Sequence, residues 1–216
     1  MDVHASEKEQ VEALQKWWKA NGSSLITGVL LGLTLLFGGK AWMSWREGQA
    51  TKASNIYQQM QTAVRQSQPE AARRQANEII TNYSGSGYAA LAALTLARLA
   101  VEDAEPAAAR TQLEWALEHA RTVEVEQHAR LRLVRLLIDQ GQYEEADRLL
   151  SAVGDVGYYR SLYDELAGDL AVARGELQRA AEFYQSALNG LPGDAPSRAF
   201  LRVKYENVST DSAVSP

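Results

Sequence analysis

The 216-residue sequence is 46% hydrophobic and 23% charged, carries a net charge of −5 and contains no cysteine. Disulfides, thiolate catalysis and cysteine-ligated zinc are therefore excluded. The acidic balance, with no run of basic residues, argues against a nucleic-acid-binding surface, which needs clustered Lys and Arg to neutralise phosphates.

At the N-terminus, Ser6-Glu7-Lys8-Glu9 has the pattern of a capping box and predicts a helix that runs to about Ala20. Val11, Leu14, Trp17 and Trp18 fall near one face of it, while Glu12, Lys16 and Lys19 lie largely off that face. Asn21-Gly22 predicts a break. Residues 1–23 thus read as a short amphipathic tail, either a contact helix or a helix lying on lipid headgroups through its two tryptophans.

From Ala20 to Gly39 no charged residue occurs, and the apolar character continues to Trp45. A helix over Leu25 to Trp45 would be about 30 Å long, the thickness of a hydrocarbon core, so residues 24–45 read as a transmembrane helix in the lipid bilayer. Lys40 lies near one end, where its stem can reach the interface beside Trp42 and Trp45. Two other readings compete: a buried core helix, which needs no such length, and a cleaved secretory signal, which would have a short basic leader rather than a long tail of mixed charge. Gly28 and Gly32 form a GxxxG pair that would let another membrane helix approach closely. Lys8, Lys16 and Lys19 precede the span and Lys40, Arg46 and Lys52 end or follow it, so basic residues do not choose its orientation.

Beyond Trp45 the sequence is rich in Ala, Leu, Gln, Glu and Arg and reads as helical throughout. Breakers at Gln66–Pro69, Ser84–Gly87, Asp103–Pro106, Gly141, Gly154–Gly157, Gly175 and Leu191–Pro196 divide it at the spacing of stacked helical hairpins. Gly141-Gln142-Tyr143-Glu144-Glu145-Ala146 recurs as Gly175-Glu176-Leu177-Gln178-Arg179-Ala180, 34 residues later, which is the tetratricopeptide period. Tyr184, Ala187, Leu188 and Pro192 continue the second copy. Ala109 and Ala72 mark two earlier, degenerate copies that lack the turn glycine.

The expected fold is all-α: the transmembrane helix, then a tetratricopeptide-like α-solenoid of about four helical hairpins over residues 46–207, closed by a capping helix from Ser197 to Asn207. Residues 208–216 read as a disordered tail. No nucleophile with a base, no metal-ligand set and no cofactor fingerprint is found, so the chain reads as non-enzymatic. His119 and His128 straddle a turn and read as structural. In tetratricopeptide stacks the first helix of each pair lines the concave side. That maps a partner-binding groove onto Tyr57, Leu91, Leu94, Arg98, Val101, Leu131, Arg135, Ile138, Leu162 and Val172, about half of which are expected to serve instead as core between repeats.

Gln10-Val11-Glu12-Ala13-Leu14, Trp17-Trp18, Asn21-Gly22, Gly28-Val29 and Leu31-Gly32, followed by a basic residue and tryptophans at the end of the span, resemble the YfgM family of ancillary SecYEG translocon subunits. The resemblance extends over nearly the whole chain. It implies a single-pass protein of the cell inner membrane, with a cytoplasmic N-terminus and its repeats in the periplasm. It further implies association with SecYEG and with the membrane-anchored chaperone PpiD, and through them contact with nascent periplasmic proteins. Restraint of the stress-response regulator RcsB is a second implied role, and a generic anchored interaction scaffold is the alternative.

Overall fold

The computed structural model describes residues 3–214, with nine α-helices and no strand among them. The chain divides into two compact units, residues 1–51 and 52–216.

The first unit is helical from Val3 and belongs to α1, assigned as Val3–Arg65. Contrary to the expected break, α1 passes through Asn21 and Gly22. The Asn21 side-chain amide donates to the Trp17 carbonyl at 3.1 Å, and the Trp18 ring covers Gly22, 3.2 Å from where a Cβ would stand. These contacts four residues apart outweigh the local preference of Asn-Gly for a turn. Ser6 lies inside the helix rather than at its start; its side chain is outside the described residues. Through the apolar stretch Thr27 and Thr34 turn their hydroxyls onto the carbonyls of Ser23 and Leu30 at 2.8 Å, satisfying themselves within the helix. Leu30, Leu31, Leu35, Leu36 and Phe37 are all exposed. The helix meets the length and composition of a membrane span, and its most apolar stretch is almost entirely exposed.

The second unit opens with the end of α1 and continues with α2 (Pro69–Asn82), α3 (Gly87–Glu102), α4 (Pro106–His119), α5 (Val123–Asp139), α6 (Tyr143–Ser151), α7 (Arg160–Ala173), α8 (Leu177–Gly190) and α9 (Arg198–Val214). These helices form four hairpins, α1/α2, α3/α4, α5/α6 and α7/α8, followed by α9.

The four hairpin turns are the same structure. Ser67, Ala104, Gly141 and Gly175 each take a left-handed conformation, with φ of 54°, 57°, 72° and 78°. The next amide, that of Gln68, Glu105, Gln142 or Glu176, donates five residues back to Ala63, Ala100, Leu137 or Ala171, at 2.8–2.9 Å. The left-handed residue itself donates three residues back, to Val64, Val101, Ile138 or Val172, at 2.9–3.1 Å. This is the Schellman arrangement, which satisfies the last carbonyls of one helix while reversing the chain into the next. The fourth residue of each second helix is Ala72, Ala109, Ala146 or Ala180, and all four are 0% exposed. An alanine there lets the two helices of a hairpin approach closely. The sequence frame thus holds in all four copies, including the two without glycine.

Packing between hairpins supplies the core. Met60, Ile79, Leu96 and Leu99 fill the first junction; Leu113, Val134, Leu137, Leu166 and Leu170 fill the middle. Ala171, Tyr184, Leu188, Leu201 and Val208 fill the last, against α9. Helix α9 extends to Val214, past the Asn207 end expected from sequence. Leu201, Tyr205 and Val208 share a face at helical spacing, and that face covers the end of the stack. At Gly168 a Cβ would run into the Tyr184 ring, so α7 and α8 meet here through a glycine.

An L-residue in the left-handed region costs on the order of 1 kcal/mol relative to glycine. Ala104→Gly is therefore expected to raise the stability of the full chain in mild detergent by up to about 1 kcal/mol, and Gly141→Ala to lower it by about the same amount, measured by urea unfolding.

Candidate functional site

Two adjoining grooves run across the first helices of the stack. One, of about 330 Å³, is lined by Tyr57, Gln61 and Val64 of α1, Leu91, Leu94, Thr95 and Arg98 of α3, and Val125, His128 and Arg132 of α5. The other, of about 310 Å³, is lined by Ala97, Arg98, Val101, Leu113, Arg132, Arg135, Leu136 and Asp139. Arg98 and Arg132 belong to both, so the two form one surface.

Tyr57, Leu91, Leu94, Arg98, Val101 and Arg135, mapped from the repeat frame, come together on this surface. Tyr57 packs on Tyr88 with ring centroids 5.3 Å apart. Leu94 is 7% exposed and presents only an edge, whereas Val101 is 55% exposed. The other four residues do not line it. Leu131 is 7% exposed and belongs to the core, and Ile138 and Leu162 pack against that same cluster. Val172 is exposed on α7, away from both grooves. Within α5, Leu131 and Ile138 turn toward the core while Arg132 and Arg135 line the groove, so the repeat frame distinguishes helices more readily than the faces of one helix. In the first unit, a Cβ at Gly28 or Gly32 would meet nothing within 4 Å.

Arg132, three residues before Arg135, lines both grooves and is the residue the repeat frame passes over. It is an exposed residue whose guanidinium is partly desolvated among the groove walls; that, then the neighbouring Arg98 and Arg135 charges, push it below the usual arginine range. Arg98 has Glu102 at 3.8 Å. Among the described residues, neither Arg132 nor Arg135 has a carboxylate within ion-pair distance. The other junctions are neutralised differently. Arg110 holds Glu114 at 2.7 Å and Glu145 at 2.6 Å, and Arg174 reaches Asp147 at 3.3 Å. Lys204 of α9 sits 2.8 Å from both Glu165 and Asp169.

The two solenoid histidines have packing roles. His119 stacks on Trp115 with centroids 4.0 Å apart and its Nδ1 3.0 Å from the Trp115 carbonyl oxygen, while the ring of His128 meets Tyr159 edge-on at 5.8 Å. Two tyrosines anchor buried polar contacts. Tyr163, its hydroxyl pushed up to about 12 by burial, donates to Gln127; Tyr184, pushed up by burial and by Asp169, donates to Asp169 at 2.7 Å. Neither lies on the groove, and neither stands beside a nucleophile.

The tetratricopeptide repeat-like domain family matches residues 15–210. The chain is similar to proteins named ancillary SecYEG translocon subunit. It is 28% identical to that of Escherichia coli strain K12, over 97% of this chain and 100% of the relative. It is 29% identical to that of Aggregatibacter actinomycetemcomitans over 94% and 97%, and 24% identical to that of Neisseria gonorrhoeae over 96% and 100%. Among solved structures it is similar in fold to the MamA RS-1 ArsTM double mutant, with a TM-score of 0.53 and 17% identity over 77% of this chain and 98% of that one.

Like charges on Arg98, Arg132 and Arg135 destabilise the groove, whereas Lys204 stabilises the last junction. Arg132→Gln is expected to leave thermal stability unchanged or raise it by under about 1 kcal/mol. Lys204→Gln is expected to lower it by about 1–2 kcal/mol, because Glu165 and Asp169 lose their cation while remaining half-buried.

Proposed function

The chain belongs to the tetratricopeptide repeat-like domain family, and from that premise we propose that it is a non-enzymatic accessory subunit of the SecYEG translocon, anchored in the cell inner membrane. The observation that carries the reading is the extent of the similarity. Tail, apolar helix and repeat stack all align with relatives of that name, over 97–100% of their length. The apolar stretch of α1 supplies the anchor, and the groove across α1, α3 and α5 supplies a surface for polypeptide rather than small-molecule contact.

In this reading residues 1–23 form a cytoplasmic tail, 24–45 the span and 46–207 a periplasmic domain. The domain would link translocation to the periplasmic chaperone PpiD and to nascent proteins as they emerge. Anchoring raises the effective concentration of the groove at the translocon, so weak contacts suffice there. Restraint of RcsB would fall to the tail, where α1 exposes Val11, Leu14, Trp17 and Trp18. Gly28 and Gly32, each with open space where a Cβ would stand, would receive another membrane helix.

The chain has no cysteine, which makes sidedness directly testable. Single cysteines at Gln10 and at Gln178 of α8 should react differently with a membrane-impermeant maleimide added to spheroplasts: Gln178→Cys is labelled and Gln10→Cys is not. The reverse pattern would invert the topology. SecYEG is expected to co-purify with the tagged chain from membranes in mild detergent, and its absence would sink the subunit assignment.

A further inference from the structure

The position six residues before the left-handed turn residue recurs in every hairpin, as Gln61, Arg98, Arg135 and Asp169. At Gln61, Arg98 and Asp169 it faces the next helix along the stack, α3, α5 or α9, whereas Arg135 lines the groove shared with α3. Asp169 meets Lys204 of α9 at 2.8 Å, and Gln61 shares its groove with Thr95, a neutral pair. Arg98 shares the corresponding place with Arg132, which stands in α5 where Thr95 stands in α3, nine residues before the turn. Of these three junctions, that with α9 is thus an ion pair, that between α1 and α3 is neutral and that between α3 and α5 is like-charged. Arg135 lines the groove beside them. In a chain of net charge −5 that pairs its other inter-repeat cations, this is an unmet demand for negative charge.

We propose that Arg98, Arg132 and Arg135 bind a carboxylate of an acidic segment in a partner polypeptide, with apolar side chains of that segment lying on Val101 and Leu136. Guanidinium forks match carboxylates with paired hydrogen bonds, and arginines of this kind carry a large share of the energy in protein interfaces. A polypeptide fits better than a small anion because the arginines sit between apolar walls in a surface that crosses three helices, from Tyr57 to Asp139. Glu102, 3.8 Å from Arg98, and Asp139 at the far end set the polarity of the groove and would repel acids placed beyond the arginine trio. This deepens the proposed function by naming the chemistry of the partner, and it rests on that reading only for where the partner is met.

The test uses the full chain in mild detergent and two fluorescent twelve-residue peptides with capped ends, one alternating Leu and Asp and the other Leu and Asn. The Asp peptide is expected to bind at least tenfold more tightly, with an affinity that falls as salt is raised. Arg98→Gln with Arg132→Gln should abolish that difference while leaving weak binding of the Asn peptide unchanged; Arg135→Gln alone should reduce it severalfold. Circular dichroism and thermal unfolding show whether each variant is folded. Equal binding of the two peptides, or a preference untouched by the substitutions, would overturn the proposal. So would arginine-dependent binding of inorganic phosphate or phosphatidylglycerol vesicles without discrimination between the peptides, which would assign the site to free or lipid phosphate. Peptide discrimination without co-purification of SecYEG would defeat the proposed function and leave this site standing. Co-purification without discrimination would do the opposite.

Discussion

The stack depends on a single backbone event repeated four times, a left-handed residue that lets each first helix end and its partner begin within three residues. The turn hydrogen bonds are the same at Ser67, Ala104, Gly141 and Gly175, so each second helix starts after three intervening residues and brings its fourth residue into the hairpin interior. Only a small side chain fits there, and all four are alanine with no exposed surface. A hairpin set in this way leaves an apolar face that it cannot bury alone. The next hairpin buries it, and at the end α9 does so with Leu201 and Val208.

That constraint explains why some of the architecture can be read from the sequence and some cannot. Gly141 and Gly175 announce the turn because glycine is the residue that adopts it without strain, and the alanines after them fix the frame. At Ser67 and Ala104 the conformation is imposed by the surrounding packing, so local residue type says little. Asn21-Gly22 shows the converse: a strong local turn signal is overridden once Trp18 lies over the glycine and Asn21 bonds to the turn behind it. Of the groove, the helices were legible and the faces only partly so, which is why Leu131 lies in the core and Ile138 and Leu162 pack half-buried against it. Arg132 was missed for a different reason. Three arginines on two helices form no run in the sequence, and only the fold brings them to one surface.

Identical turns do not make identical junctions. Backbone repetition places the same two positions together at the α1/α3 and α3/α5 junctions, and the side chains at each junction then choose between cohesion and recognition. Asp169 and Lys204 close the C-terminal end as an internal ion pair, with Tyr184 joining the same carboxylate. In the middle of the stack the chain gives up that cohesion. A solenoid can do so at modest cost, because its stability is a sum over neighbouring junctions and one weak contact does not unfold the rest. A binding surface can therefore be written into one repeat while the others hold the fold.

The central claim is that this groove across the first helices, rather than the second helices, is where the protein meets its partners. In vivo photocrosslinking compares the two faces under the same conditions, with a photoreactive residue replacing Arg135 in the groove or Gln178 on α8. The account predicts adducts to SecYEG, to PpiD or to nascent periplasmic proteins from the Arg135 position and none from Gln178. The same partners captured from Gln178, with the groove position silent, would contradict it.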